Sequence, residues 1–331
     1  MSSTTSGFHV TTFTSRNSKR ARQRDSVRCS GCCGPLSKNH EALGIPIRLF
    51  LITAVIFFVT SCSTVRQPMH FALDYSTPTN SQLQIQLERI DFTVRNEFNI
   101  PPDAAAVGLL DLKTGRYAAI HPDLEKYAAS VAKIGILLAY FDIHPDAATN
   151  LDPQVRHELG LMIKASDNDM AGKYSQQLGL RQIESTLTRL GFYDAAHGGG
   201  IWVGKHYGID GERHGSPVAD NSHAVTVRQV LRFYLMLAQN EFISPQASQI
   251  MREIFASPEI PHDQIKFVKA LSDRPVTLLR KWGTWEDWLH DTAIIEGPNR
   301  KYILVALTHH PAGDQYLEHL ALQIDNLMSK R

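Results

Sequence analysis

Ser130-Val131-Ala132-Lys133 sets a hydroxyl and an amine three residues apart. On a helix that spacing puts both on one face, so the amine can lie against the hydroxyl it must deprotonate. Serine is a weak nucleophile without such a base. An ammonium cannot accept a proton, so Lys133 must be neutral for part of any cycle. Burial and a second cation, for which Lys281 is the candidate, lower a lysine's pKa in that direction. Ser166-Asp167-Asn168 adds a second hydroxyl beside an amide, and Lys281-Trp282-Gly283-Thr284 adds a late cation followed by a glycine. Each string has a plainer reading alone, a helix cap for the serines and a solvated charge for the lysines. Together they hold the parts of acyl transfer through serine.

The three strings, in this order, resemble the S-x-x-K, S-D-N and K-T-G set of class A β-lactamases and penicillin-binding proteins. The third departs at Trp282. The resemblance covers nearly all of residues 81–331. It implies that Ser130 is the nucleophile and Lys133 its base. It further implies that Ser166 passes a proton to the leaving nitrogen, Asn168 binds the substrate amide and Lys281 attracts a substrate carboxylate. Gly283 would admit close backbone approach of a ligand. The amides of Ser130 and Thr284 would form the oxyanion hole. Trp282 stands where the family has a hydroxyl residue that helps hold the carboxylate, so it removes a hydrogen bond and adds bulk.

A second departure lies between residues 197 and 222. Class A β-lactamases carry there an E-x-x-L-N glutamate that activates the deacylating water. Trp202 fits that pattern, but Val203 stands at the glutamate position, and Asp210 and Glu212 have the wrong spacing. The resemblance then implies slow deacylation, with Lys133 or a loop acid such as Glu212 as the remaining bases. Substrates would be β-lactams or D-Ala-D-Ala-type amides. A non-catalytic envelope protein, binding a peptidoglycan peptide or a partner through the same cleft, is the alternative.

The elements that must position these groups are legible from periodicity. Leu83, Leu87, Ile90, Val94 and Phe98 make one apolar stripe, a helix from Ser81. Ala105–Leu112 and Arg116–Ile120 read as a strand pair joined at Asp111–Gly115, which assigns Lys113-Thr114-Gly115 to turn chemistry rather than to the third motif. Ser130 opens a helix with Ile134, Leu137, Leu138 and Phe141 inward. Ser166–Asn168 is a loop between helices, and His223–Ala238 is a clear helix. Strand-like runs follow at Val276–Trp282, Thr292–Glu296 and Tyr302–Leu307, then a helix carrying Leu317, Leu320, Ile324 and Leu327. This order predicts a mixed α/β fold with one split α/β lobe (about 81–130 and 265–331) and one all-α lobe (about 131–264). The resemblance implies a five-stranded antiparallel sheet flanked by the terminal helices.

The front end differs from the rest. The first 48 residues carry eight Lys or Arg against Asp25 and Glu41, and an apolar run over Leu49–Val59 follows. That run is too short to span a bilayer and reads as a secretory signal. Val59-Thr60-Ser61-Cys62 resembles the bacterial lipobox, which implies a leader over 1–61, lipidation of Cys62, a tether over 62–80 and a place in the bacterial cell envelope, facing periplasm or exterior. Cys29, Cys32 and Cys33 fall inside the leader, so a zinc reading has little to stand on. The whole chain is +1 and the leader +6, leaving about −5 for the remainder. That argues against a nucleic-acid partner, which needs a basic face. The histidines show no metal-binding spacing, and His197-Gly198-Gly199-Gly200, lacking a G-x-S-x-G elbow, reads as a flexible loop. A monomer without cofactor is expected.

Overall fold

The computed structural model describes residues 70–330. The leader and Cys62, with its lipobox, lie outside the described residues. Segment 71–80 is pinned rather than free. Gln239 bonds both backbone groups of Phe71, Arg228 donates to the Asp74 carbonyl, and Leu73 is buried.

Helix α1 (Ser81–Glu97) starts where the Asn80 side chain accepts the Leu83 amide. Strand β1 (Ala105–Asp111) turns into β2 (Tyr117–Ile120) through an Asp111 carboxylate that accepts the Lys113 amide, with Gly115 at φ +72°. Lys113-Thr114-Gly115 is thus the hairpin turn. After β3 (Lys126–Tyr127) a 3₁₀ turn over Ala129–Ala132 runs into α2 (Lys133–Ile143). Helix α3 (Pro153–Gly160) leads through one wide turn, Leu161–Ala165, to α4 (Asn168–Leu178) and α5 (Leu180–Arg189). Short pairs follow: β4 (Tyr193–Asp194) with β5 (Gly199–Gly200), and β6 (Trp202–Val203) with β7 (His223–Val225), which also pairs with β3. Then come α6 (Val227–Gln239), α7 (Pro245–Ala256) and α8 (Lys266–Ala270). Strands β8 (Thr277–Trp285), β9 (Trp288–Gly297) and β10 (Arg300–His309) and helix α9 (Gly313–Ser329) complete the described chain.

The main sheet is antiparallel in the order β2-β1-β10-β9-β8, five strands as expected, with β8 at an edge. Helices cover both faces, which is why β1 and most of β10 are continuous apolar runs rather than alternating ones. Under α1 and α9 lies a core of Leu83, Leu87, Leu109, Leu304, Leu317 and Leu320. On the other face a larger core joins Val305 and Leu307 to the helices through Leu137, Leu138, Val230 and Leu231.

Three local readings shift. The helix expected from His223 begins at Val227, because Thr226 caps it by accepting the Gln229 amide and His223–Val225 pairs as a strand. Strand β9 begins at Trp288, not Thr292, because His290 and Asp291 are fully buried with partners: His290 bonds the Tyr127 carbonyl and Asp291 pairs with Arg280. Polar residues satisfied in this way break the hydropathy pattern without leaving the strand. Within the His197–Gly200 run, Gly199 and Gly200 form β5, and His197, in the turn before it, stacks on Tyr75 at 4.2 Å.

Candidate active site

Ser130 sits in the 3₁₀ turn ahead of α2, not in the helix proper, and the residue before it, Ala129, holds φ +46°. That left-handed backbone is strained for alanine, and such strain is kept only where surrounding structure fixes it. The fixing groups are visible. Tyr207 donates its hydroxyl to the Ala129 carbonyl at 2.8 Å, and β8 closes from the other side. A Cβ at Gly283 would lie 3.0 Å from both the Ala128 carbonyl oxygen and the Ser130 amide nitrogen. Gly283 therefore serves the approach of the strand to the turn that carries Ser130, where a ligand's approach was expected. Neither the hydroxyl nor the amide of Ser130 has a hydrogen-bond partner among the described residues.

Lys133 is fully buried. Its ammonium donates to the Ser166 carbonyl at 2.5 Å and to Asn168 Oδ1 at 2.7 Å, with Ser166 Oγ at 3.5 Å and the Tyr207 ring centroid at 4.7 Å. The expected contact with Ser130 is absent from this set: the amine is turned to the Ser166–Asn168 string. Burial brings Lys133 down to about 7, with Asp167 pulling weakly the other way.

The Ser166–Asn168 string divides its labour. Ser166 takes a left-handed turn (φ 59°, ψ 30°), which ends the wide turn before it. Asp167 is the cap of α4, accepting the Met170 amide at 2.8 Å, so the plain capping reading is true of this residue. Ser166 and Asn168 are thereby aimed inward. Lys281, fully buried on β8, donates to Ser166 Oγ at 2.8 Å and to the Trp282 carbonyl at 2.7 Å. Burial first, then the Lys133 charge, hold Lys281 well below the usual lysine range. Burial is the expected cause for Lys133, while the expected push between the two charges falls on Lys281. For Lys133, burial is the larger cause, and near neutrality the pair holds fewer than two protons.

A cavity of about 660 Å³ opens at Ser130, Asn168 and Thr284, lined further by loop 205–210 and by Tyr127, Asn221, His223, Trp285 and Trp288, whereas Lys133, Ser166 and Lys281 are not part of its lining. Trp282 is not part of this lining. Its indole packs between the Lys266 and Lys281 ammonium groups, 5.3 and 5.1 Å from its centroid, so its bulk falls outside the cleft. Thr284 Oγ1 accepts from the buried Lys266 at 2.7 Å. Val203 is fully buried in the core and does not reach the cleft. Glu212 is turned to His214 Nε2 at 2.8 Å and is likewise absent from the lining, whereas Asp210 belongs to it.

Sequence reasoning missed Tyr207 and His223, which stack at 4.2 Å with an interplanar angle of 1° under Lys133. Both belong to no motif. Burial first, then the Lys133 and Lys205 charges, bring the His223 ring down to about 3, so it stays neutral. Trp285 and Trp288 were also missed, because the hairpin that presents them was read as lying outside a strand.

Known proteins share the family and the fold. The family described as "Beta-lactamase enzyme family" matches residues 142–329. LppW of Mycobacterium tuberculosis, named as a lipoprotein, is 24% identical over 220 residues, 63% of this chain; the match spans 64% of the relative's own length. Among solved structures, the β-lactamase of Sphaerobacter thermophilus superposes with TM-score 0.59 at 13% identity, over 75% of this chain and 98% of that one. PBP-A superposes with TM-score 0.59 at 16% identity, over 78% and 100%. A PBP-A mutant has been solved as an acyl-enzyme complex with penicillin G.

Proposed function

Since the chain belongs to the beta-lactamase enzyme family, we propose that it is a serine acyl-enzyme hydrolase with Ser130 as nucleophile. The observation that carries this is the meeting of two buried lysines at one serine hydroxyl, with Ser130 unengaged in the cavity that Asn168 also lines. Lys133, about half neutral near pH 7, takes the Ser130 proton, directly or by way of the Ser166 hydroxyl. Oγ of Ser130 attacks the carbonyl carbon, and the oxyanion draws the Ser130 and Thr284 amides. Ser166 returns a proton to the leaving nitrogen, recharged by Lys281. Asn168 binds the substrate amide, and Lys281 with Thr284 attracts a carboxylate.

Substrates are β-lactams or D-Ala-D-Ala-type amides; for β-lactams, the PBP-A mutant acylated by penicillin G is a precedent on this fold. Deacylation is slow, because Val203 supplies no base and Glu212 is engaged elsewhere. Lys133 and Asp210 are the groups left to activate water. The protein works in the bacterial cell envelope, lipid-anchored through Cys62, a reading that the LppW name supports.

The test is covalent labelling of residues 62–331 by a fluorescent penicillin or a serine-directed ester, with the adduct mapped by mass spectrometry. An adduct on Ser130, formed in a stoichiometric burst and followed by slow turnover, is expected. No adduct with any such probe would overturn the proposal. The turning of Lys133 away from Ser130 favours one alternative, a non-catalytic binder of peptidoglycan peptide. Ser130→Ala separates the two, since a binder keeps its ligand affinity and cellular role while an enzyme loses labelling and function.

A further inference from the structure

The cavity extends past the reacting groups to the tip of the β8–β9 hairpin. Trp285 ends β8 and Trp288 begins β9, and the register sets them directly opposite each other across the two-residue turn. Trp288 is held in place, stacked on His309 at 3.8 Å with an interplanar angle of 3° and edge-on to Tyr127 at 6.0 Å. Trp285 has no ring partner among the described residues and is 57% exposed. Both line the cavity. An indole left open beside a fixed one, inside a cleft, is apolar surface that awaits a guest.

The same lining also carries polar side chains. Asp210 presents an exposed carboxylate, 3.4 Å from the Lys205 ammonium. Asn221 is fixed by donating its side-chain amide to Glu125 at 3.1 Å. An aryl guest stacked on the indoles would strip water from these groups and return no hydrogen bond. A ring with apolar faces and hydroxyl-bearing edges satisfies both parts of the lining. We infer that the hairpin end of the cleft is a saccharide subsite, which takes a pyranose ring with its C–H face on Trp285 and Trp288 and its hydroxyls toward Asp210 and Asn221.

For the reaction, this means that the amide or ester delivered to Ser130 is carried on a sugar. That part rests on the acyl-enzyme proposal; the binding does not. The experiment uses Ser130→Ala protein of residues 62–331, titrated with oligomers of N-acetylglucosamine by saturation-transfer NMR and calorimetry, with phenylacetate as the aryl comparison. Saturable saccharide binding is expected, weakened at least tenfold by Trp285→Ala and by Asp210→Asn, and less by Trp285→Phe. Trp285 is exposed, so its replacement leaves the fold intact. Absence of saccharide binding overturns the inference, as does binding indifferent to Trp285→Ala or matched by phenylacetate. If wild-type Ser130 is labelled while saccharide fails to bind, this inference alone falls. If saccharide binds while Ser130 resists every acyl probe, the acyl-enzyme proposal falls and the subsite stands.

Discussion

Replacing Lys133 by methionine keeps the length of the side chain and removes its titration. In the native protein Lys133 lies at about 7 against an ordinary 10.5, with burial as the main cause. If its neutral form is the base, the acylation rate follows the neutral fraction. It should be half-maximal near pH 7, level above pH 8.5 and about 50-fold lower at pH 5 than at pH 7. In Lys133→Met the slope should vanish and the plateau fall by about 10²–10⁴. Stability carries a second, independent signature. Below pH 7 folded and unfolded chains both bind the Lys133 proton, and its burial penalty is present in full. Between pH 7 and 10.5 only the unfolded chain keeps the proton, so native stability rises with pH. The gain over Lys133→Met should be about 2 kcal/mol between pH 7 and pH 9. The mutant leaves the Ser166 carbonyl and Asn168 Oδ1 without their donor, at about 1–3 kcal/mol each, an offset constant with pH. Stopped-flow labelling and urea melts across this range read both quantities. An acylation slope that survives in Lys133→Met would assign the base to another group, and a flat stability difference would refute the depressed pKa itself.

Ser166→Ala removes the acceptor that Lys281 holds at 2.8 Å and, with it, the proposed relay to the leaving nitrogen. Acylation by an amide should fall about 10²-fold, and by an ester with a good leaving group much less; equal losses on both would remove the relay role. Gly283→Ala brings a methyl group to 3.0 Å from the Ser130 amide and the Ala128 carbonyl, so the nucleophile turn must yield by a few tenths of an ångström. Labelling should slow by about tenfold or more while the melting temperature drops only slightly, and an unchanged labelling rate would deny that β8 positions Ser130. Val203→Glu, the replacement that the family pattern suggests for faster deacylation, places a carboxylate in a fully buried core site. It should destabilise by about 4 kcal/mol or more in urea melts without speeding the second phase; faster turnover in a stable protein would show that the chain around β6 can reach the cleft.

The sheet and its flanking helices were legible because apolar residues recur at the periods their elements require: Leu83, Leu87 and Val94 on α1, and the unbroken run of β1. The meeting of Lys133, Ser166, Asn168 and Lys281 was legible because motif spacing survives where hydropathy says nothing. What stayed hidden depends on long-range pairing. His290 and Asp291 look like loop residues until the Tyr127 carbonyl and Arg280 are placed against them. That misreading shortened β9 and so concealed the hairpin that carries Trp285 and Trp288. The same cause moved the bulk of Trp282. On a strand, neighbours point to opposite faces, so with Lys281 turned to Ser166 the side chain of residue 282 leaves from the other face, and its indole lies against the Lys266 and Lys281 ammonium groups. The sequence names the tryptophan, but only the pairing of β8 with β9 and the seat of Lys266 say which side of the strand it fills. The substitution at the middle of the third motif therefore bears on the packing behind β8, and carboxylate affinity should depend on Lys281 and Thr284 more than on residue 282.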